Sequence, residues 1–420
     1  MTDMCTRNRI ICSGQIFTWQ ERIDATLQRL NAIPNLHKHR LMFAVSDSLE
    51  AVSVVAAGVS AQLDFGVVDQ HRLDDELRRR LAEQGVLVVE ADDAPLPSEI
   101  GAVSTVEPGR VSVLTSGTTG LPKLIAHTAD SLNTFDRVRQ LAPNQWFLPY
   151  QVGSYAWYQM VSMGLFVEGQ DLVLGESTDL MGSFEEALRH GQITAVSSTP
   201  TFWRQAIFTI EPPVFQTSPI RTISLGGEIV DNAILDHLKS LFPEASIKHI
   251  YASSEVGAAI IVSDGKAGFD EALLDAAEDK PVLIRIVDGR LHVRSRYGNT
   301  GSRGEWIDTG DLVERHGGRV VFCGRADNQM INVGGQKAYP ALIEARLLLH
   351  PNVAWAQVVA KRAPMMGYLP MAHVVLHSAS DPLDAEQQLT AFCEGALPEY
   401  AVPRIWNFLE AIPTRASLKS

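Results

Sequence analysis

Leu114-Thr-Ser-Gly-Thr-Thr-Gly-Leu-Pro-Lys123 is the stretch on which the reading of this 420-residue chain turns. Arg110 to Leu114 has the apolar character of a buried strand, and it opens into a loop of glycines and hydroxyls that ends in a lysine. Glycines let backbone N–H groups approach phosphate oxygens closely, and hydroxyls add donors. Lysine supplies a point charge. The loop is not a Walker A motif. Counted from Gly117, that motif needs glycine at 122 and Ser or Thr at 124, where the chain has Pro122 and Leu124.

Working outward, the strand before the loop belongs to a repeating pattern. Arg40 to Val45 reads as a strand, Asp47 or Ser48 caps the helix after it, and Phe65 to Val68 is the next strand. A charged helix runs from Asp74, and Val86 to Val89 is another buried strand. Ala195 to Ser197 and Thr222 to Leu225 continue the theme. Strands alternating with helices predict a largely parallel α/β sheet. Ile16, Trp19, Ile23, Leu27 and Leu30 recur at helical spacing, with Thr18 and Glu21 forming a capping box. After residue 281 the texture changes. Leu283–Arg296 and Gly317–Gly324 read as strand-turn-strand units, and the stretch from Tyr339 to Ala363 as helix, stop, strand, with Pro340 in the first helical turn. The fold predicted is α/β, a large N-terminal domain of mixed, largely parallel sheets flanked by helices. A small α+β C-terminal domain follows.

Composition narrows the function. The formal net charge is −13, from 36 Lys and Arg against 49 Asp and Glu, which speaks against nucleic acid as the main partner. Cys5, Cys12, Cys323 and Cys393 show no C-x-x-C spacing and read as reduced thiols. The N-terminus lacks the apolar run of a signal peptide, and the apolar stretch Ala51 to Val68 reads as helix then strand, not a membrane span. A cytoplasmic enzyme is expected. His127, His190 and His249 have no metal-ligand spacing and read as structural or surface residues.

Further motifs follow the loop. They are Ser224-Leu-Gly-Gly-Glu228, Tyr251-Ala-Ser-Ser-Glu255, Thr309-Gly-Asp311, Gly324-Arg-Ala-Asp327 and Pro413-Thr-Arg-Ala-Ser-Leu-Lys419. Together and in this order they resemble the AMP-forming acyl-CoA synthetases, nonribosomal peptide adenylation domains and luciferases. The resemblance covers residues 16 to 419. It implies that Thr115, Ser116, Gly117, Thr118, Thr119, Gly120 and Lys123 hold the ATP phosphates. It places Gly226, Gly227 and Glu228 beside adenine and acyl group, and Tyr251, Ala252, Ser253 and Ser254 beside the adenine and phosphate. Glu255 would hold Mg²⁺, as a hard cation requires. Asp311 would accept the ribose hydroxyls, Arg325 would contact ribose or phosphate, and Lys419 would reach the carboxylate and α-phosphate. Thr118, Glu255 and Lys419 are the implied catalytic set. Asp327 would be the hinge between residues 1–326 and a mobile 327–420. Ala252 stands where glycine is usual, Ser254 for Thr, Asn332 for Lys and Leu418 for Gly. Only 115 residues precede Ser116, so a trimmed first subdomain is expected.

The implied reaction joins a carboxylate to AMP, releases pyrophosphate, and passes the acyl group to a thiol. Such chemistry needs positioning and charge neutralisation more than an acid–base constellation. No fused carrier domain is expected, so the expected acceptor is CoA or the phosphopantetheine of a separate acyl carrier protein. The acid pocket is expected at Tyr150, Gln151, Tyr155, Trp157, Phe202, Gly227 and Gly257. Phe147 to Trp157 contains no aspartate, so a substrate ammonium would be buried without a partner. A small non-amino acid, aromatic or compact, fits better. Two other readings stay open: a degenerate nucleotide or acyl binder, suggested by Ala252 and Leu418, and a carrier-loading partner of an assembly line.

Overall fold

A computed structural model describes residues 4–90, 105–116, 122–134, 141–176, 178–326, 330–363, 367–377 and 382–413. Its strands form four sheets. The first runs Val86–Val89, Arg40–Val45, Asp64–Asp69, Arg110–Ser116, Pro122–Thr128, parallel except for the last strand, which turns back. The second runs Gly257–Val262, Ser246–Ser253, Thr222–Gly226, Ala195–Ser198, Asn144–Leu148, Gln170–Leu174, Arg9–Cys12, Gln15–Thr18. Its inner strands are parallel and both outermost pairs antiparallel.

Parallel strands need crossovers, and the crossover helices cover the sheet faces. Helix Ser48–Ser60 is buried continuously from Ala51 to Val59, and helix Tyr155–Phe166 at nearly every position. Both lie in one apolar cluster with side chains of the first two sheets, including Phe43, Phe65, Trp146 and Leu172. A helix apolar all round is what a layer between two sheets requires. The Val67 N–H donates to the Tyr158 hydroxyl at 2.8 Å, tying the first sheet to that helix. Gly153 (φ +79°) lies so close that a Cβ there would sit 2.3 Å from the Val67 carbonyl oxygen.

The predicted caps form. Thr18 and Glu21 exchange hydrogen bonds at 2.9 and 3.3 Å before helix Trp19–Leu30, and Asp47 accepts the Glu50 N–H at 2.7 Å. Trp19, Ile23 and Leu30 are buried. Ile16 departs from the predicted helical face. It lies in strand Gln15–Thr18 at the sheet edge and is 59% exposed. Behind the second sheet, Phe147, Phe184, Phe202, Trp203, Phe215 and Phe242 pack ring on ring.

The third sheet is antiparallel throughout: Phe269–Asp270, Arg319–Arg325, Trp306–His316, Arg290–Ser295, Val282–Val287. Its hairpin at Asp288 and Gly289 has positive φ at both residues, 50° and 73°, the pairing that a two-residue turn demands. The fourth sheet runs Gln336–Ala338, Ile331–Val333, Gly367–Leu376, Val353–Ala363, with Ile405–Leu409 beside Gly367–Leu376. Helix Pro340–Leu348, with Pro340 opening it, and helix Pro382–Glu394 pack around its own core of Ile331, Ile343, Leu347, Val374 and Leu389. This is the expected α+β module. It touches the rest of the chain through Trp355, Val375 and Ile412 against Phe208. Among the described residues, no helix is long and apolar enough to cross a membrane.

Candidate active site

The phosphate-loop motif sits on a hairpin. Thr115 and Lys123 face each other across the antiparallel pair, and the Thr115 hydroxyl donates to the Lys123 carbonyl at 3.4 Å. Lys123 is exposed. The motif residues Gly117, Thr118, Thr119 and Gly120 lie outside the described residues, as do the side chain of Ser116, the expected hinge residue Asp327 and Lys419.

Strand Pro122–Thr128 is bonded to two distant segments. The Ala126 carbonyl accepts from the backbone N–H and the hydroxyl of Thr300, at 3.1 and 3.2 Å. The His127 Nε2 lies 2.9 Å from the Ser254 carbonyl, and its Nδ1 lies 3.0 Å from the Ser131 hydroxyl. Burial pushes the His127 pKa down to about 4, with the Ser254 bond and Glu255 opposing. The Glu255 carbonyl accepts from the Ser302 hydroxyl at 2.6 Å and the Asn299 N–H at 3.2 Å. The backbone of Glu255 is thus pinned while its carboxylate stays exposed and accepts the Ser254 hydroxyl at 3.1 Å. Sequence reasoning left Ser302 and Asn299 unmarked and set His127 aside as structural. Their roles come from contacts more than 40 residues apart in the chain, for which no local pattern exists.

The ribose motif is also assembled across segments. Asp311 and Arg325 are cross-strand partners in the third sheet, and the Arg325 guanidinium donates to Asp311 Oδ1 at 3.3 Å. The Tyr251 hydroxyl, from the second sheet, donates to Asp311 Oδ2. Burial and the neighbouring carboxylate hold the Tyr251 pKa well above the usual phenol value, so it remains a donor. Its ring stacks on Phe322, with centroids 5.0 Å apart and planes 19° apart. A bulge between Tyr251 and Ala252 re-aims the end of the strand. Asp311 therefore presents a half-buried carboxylate held on both oxygens.

On the acid side, the Tyr150 hydroxyl meets the Ser197 hydroxyl at 3.3 Å, and a Cβ on Gly226 would stand 3.9 Å from it. Burial pushes the Tyr150 pKa up to about 12. Gly227 has φ +82° at the strand end. Glu228 accepts the Thr201 N–H at 3.0 Å, at the start of helix Pro200–Thr209. Gln151 is half-buried in the turn before Ser154. Tyr155 packs its ring 5.3 Å from that of His127.

Three expected pocket residues are placed elsewhere. Trp157 is 1% exposed in the layer between the sheets, and Phe202 is fully buried in the aromatic cluster behind the second sheet. Both are core residues, because an apolar helix gives composition but not facing. Gly257 (φ +76°) is required by close approach. A Cβ there would lie 2.4 Å from the Tyr297 carbonyl oxygen, so it serves the junction of the second and third sheets.

The residues present fit a nucleotide and a hard divalent cation. Asp311 offers charge-assisted acceptors suited to a diol. Glu255 offers one exposed carboxylate. Among the described residues no three His, Cys, Asp or Glu side chains converge, so a cation here would take most of its oxygens from phosphate and water, as Mg²⁺ does.

Comparison with known proteins agrees with this geometry. A 2-succinylbenzoate–CoA ligase of Bacillus velezensis is 24% identical, covering 98% of this chain and 93% of its own. A benzoate CoA ligase from Burkholderia xenovorans superposes with a TM-score of 0.75 at 16% identity, over 99% of this chain and 96% of that one. The o-succinylbenzoate CoA synthetase of Bacillus subtilis, solved with its acyl-adenylate intermediate, gives 0.68 at 20% identity, over 99% and 94%. At these identities the structural matches speak for the fold. The model of the AMP-binding enzyme matches residues 24–291, and that of the AMP-binding enzyme C-terminal domain matches residues 342–419. Matched in both parts and in the right order, the chain belongs to the AMP-binding enzyme family, the family of AMP-forming acid–thiol ligases.

Proposed function

We propose that this protein activates a small, non-amino aromatic carboxylic acid as its acyl-adenylate, with release of pyrophosphate, and then transfers the acyl group to the thiol of CoA. The observation that carries the proposal is the bonded junction of three segments: strand Pro122–Thr128, the Ser254–Glu255 segment and the 299–302 turn. It brings the phosphate hairpin and the exposed Glu255 carboxylate to one place. The pinned Asp311 stands on the sheet beside it.

A carboxylate is a poor electrophile, and AMP supplies its leaving group. The acid's oxygen attacks the α-phosphorus and pyrophosphate departs opposite. Asp311 would accept the ribose hydroxyls, with Arg325 and Tyr251 keeping its oxygens aimed. The hairpin carrying Thr115 and Lys123 would hold the phosphate tail. Glu255 would hold Mg²⁺, which when bound neutralises phosphate charge. Lys419 would steer the two reacting anions together. Residues 327–420 would turn about Asp327 to admit the thiol.

The acid class is supported by the wall around Tyr150, where a neutral hydroxyl pair stands and no aspartate lies between Phe147 and Trp157. The relatives named as 2-succinylbenzoate and benzoate ligases act on aromatic acids and use CoA.

Pyrophosphate exchange into ATP, measured with Mg²⁺ across aryl, aliphatic and amino acids, tests the reading. Exchange with an aryl acid, followed by thioester formation with CoA, is the expected result. Exchange without turnover on CoA, but with turnover on a carrier protein, moves the acceptor. Silence from protein that binds ATP replaces the enzyme with a ligand-binding relative. Lys419→Ala is expected to slow adenylation by about 10²–10³-fold. Near-normal exchange would remove Lys419 from the mechanism.

A further inference from the structure

We infer that His127, which lies outside every motif above, is a positioning residue that sets where Glu255 presents its carboxylate. This rests on the proposed reaction, in which Glu255 takes the metal.

The ring is fully buried, and its partners fix its hydrogens. A carbonyl only accepts, so the 2.9 Å contact with the Ser254 oxygen places the N–H on Nε2. Neither ring nitrogen meets a carboxylate, and a fully buried imidazole in such surroundings is neutral. Nδ1 is therefore an acceptor, with the Ser131 hydroxyl 3.0 Å away, and that hydroxyl also has the Thr128 carbonyl as an acceptor at 3.1 Å. That hydroxyl in turn accepts the Thr128 N–H at 2.9 Å. The Ser254 carbonyl thus sets the tautomer, and the Nε2 donor points at the peptide between Ser254 and Glu255.

The two peptides flanking Glu255 are each anchored. Ser302 and Asn299 hold the Glu255 carbonyl, and His127 holds the Ser254 carbonyl. Ser254 also bonds its hydroxyl to the Glu255 carboxylate at 3.1 Å. Without His127 the Ser254 carbonyl loses its side-chain donor, and the peptide plane keeps only the weaker hold of the Glu255 N–H on the Ser253 hydroxyl, at 3.3 Å, against rotation. Rotation there swings both the Ser254 hydroxyl and the Glu255 carboxylate. Lys123 is four residues before His127 on the same strand, so the His127 bond ties the strand that carries Lys123 directly to the segment that carries Glu255.

The test uses the full chain with Mn²⁺ and a non-hydrolysable ATP analogue, read by electron paramagnetic resonance. His127→Leu is expected to raise the Mn²⁺ needed for half-saturation by about 10–100-fold, the usual cost of losing a ligand's outer partner. His127→Gln places an amide N–H near the position of Nε2 and is expected within about threefold of the wild type. Ser131→Ala keeps the ring but removes the partner of its Nδ1, and an intermediate loss is expected. In steady state the KM for Mg·ATP rises while that for the acid holds. Wild-type metal binding by folded His127→Leu overturns the inference, and so does a Gln variant as weak as the Leu variant. If the Leu variant does not fold, Ser131→Ala decides, and wild-type binding by it overturns the inference. A wild type that binds metal and nucleotide but exchanges no pyrophosphate with any acid defeats the proposed reaction instead, and leaves the metal-binding comparison readable.

Discussion

The second sheet has aromatic rings at two places, and they serve opposite ends. Behind it, six rings from Phe147 to Phe242 pack only for contact, and the Trp203 indole N–H is buried without a partner. At its edge, Tyr251 and Phe322 form a stacked pair whose one polar atom aims at Asp311. The first group excludes water and sets the rigidity of the platform. The second converts that rigidity into the aim of a carboxylate. Size and apolarity do not separate the two groups. A hydroxyl at a strand end does.

The comparison is broken most severely by Phe202→Ala. It leaves a cavity in the rear cluster and is expected to cost about 3–5 kcal/mol in denaturant unfolding. The folded fraction should keep its KM for ATP. Asp311→Asn should do the reverse. Losing the charged acceptor is expected to lower kcat/KM for ATP by about 10–100-fold, with less than about 1 kcal/mol lost in stability. Tyr251→Phe sharpens the point, since it keeps the stack on Phe322 and removes only the aiming bond. A rise of about 3–10-fold in the KM for ATP, with little change in thermal midpoint, is expected. A Tyr251→Phe variant that unfolds easily but binds ATP normally would place it with the rear cluster.

The smallest effect concerns the contact of the α+β module with the large one. The Glu344 carboxylate accepts the Val358 N–H at 2.7 Å, and burial pushes its pKa up to about 7. Arg204 opposes that rise, and Glu228 and Asp231 add to it. The folded protein binds this proton more tightly than the unfolded chain, whose Glu titrates near ~4.3. The stabilisation is therefore complete below about pH 4 and lost as pH rises to and through 7. Relative to Glu344→Gln, wild-type stability should fall across that window, read by unfolding at several pH values. A parallel pH dependence in both proteins would show that Glu344 does not carry it.

Much of this was legible in the sequence, and the limits are physical. The strand from Arg40, the Asp47 cap, the capping box at Thr18 and the strand-turn-strand units follow from local spacing, and they form as read. Ile16 satisfied the same periodicity and still went to an edge strand, because the capping box at Thr18 starts the helix after it. Tyr251, Asp311 and Arg325 could be marked from their motifs, and they do meet. The sequence could not show that Tyr251 aims Asp311, since that bond joins two sheets. Trp157 and Phe202 were placed in the pocket for their chemistry, whereas helix facing put them in the core. His127 was passed over because both its partners are remote from any motif spacing: one hydroxyl in the next turn, one carbonyl 127 residues on.

The bond from the Ala326 N–H to the Gly310 carbonyl, 2.8 Å long, is the last described tie before the chain leaves the third sheet. It stands next to the Arg325–Asp311 pair. Any torque from a turning C-terminal module would be delivered one residue from the group proposed to grip the ribose. Module and nucleotide are thereby loaded in series, like a lever and the pin it turns on. A bound nucleotide stiffens the pin, and an empty site leaves the lever slack. Domain rotation in this chain should accordingly be gated by occupancy, with the swing's friction rising when ribose is held and falling when AMP departs.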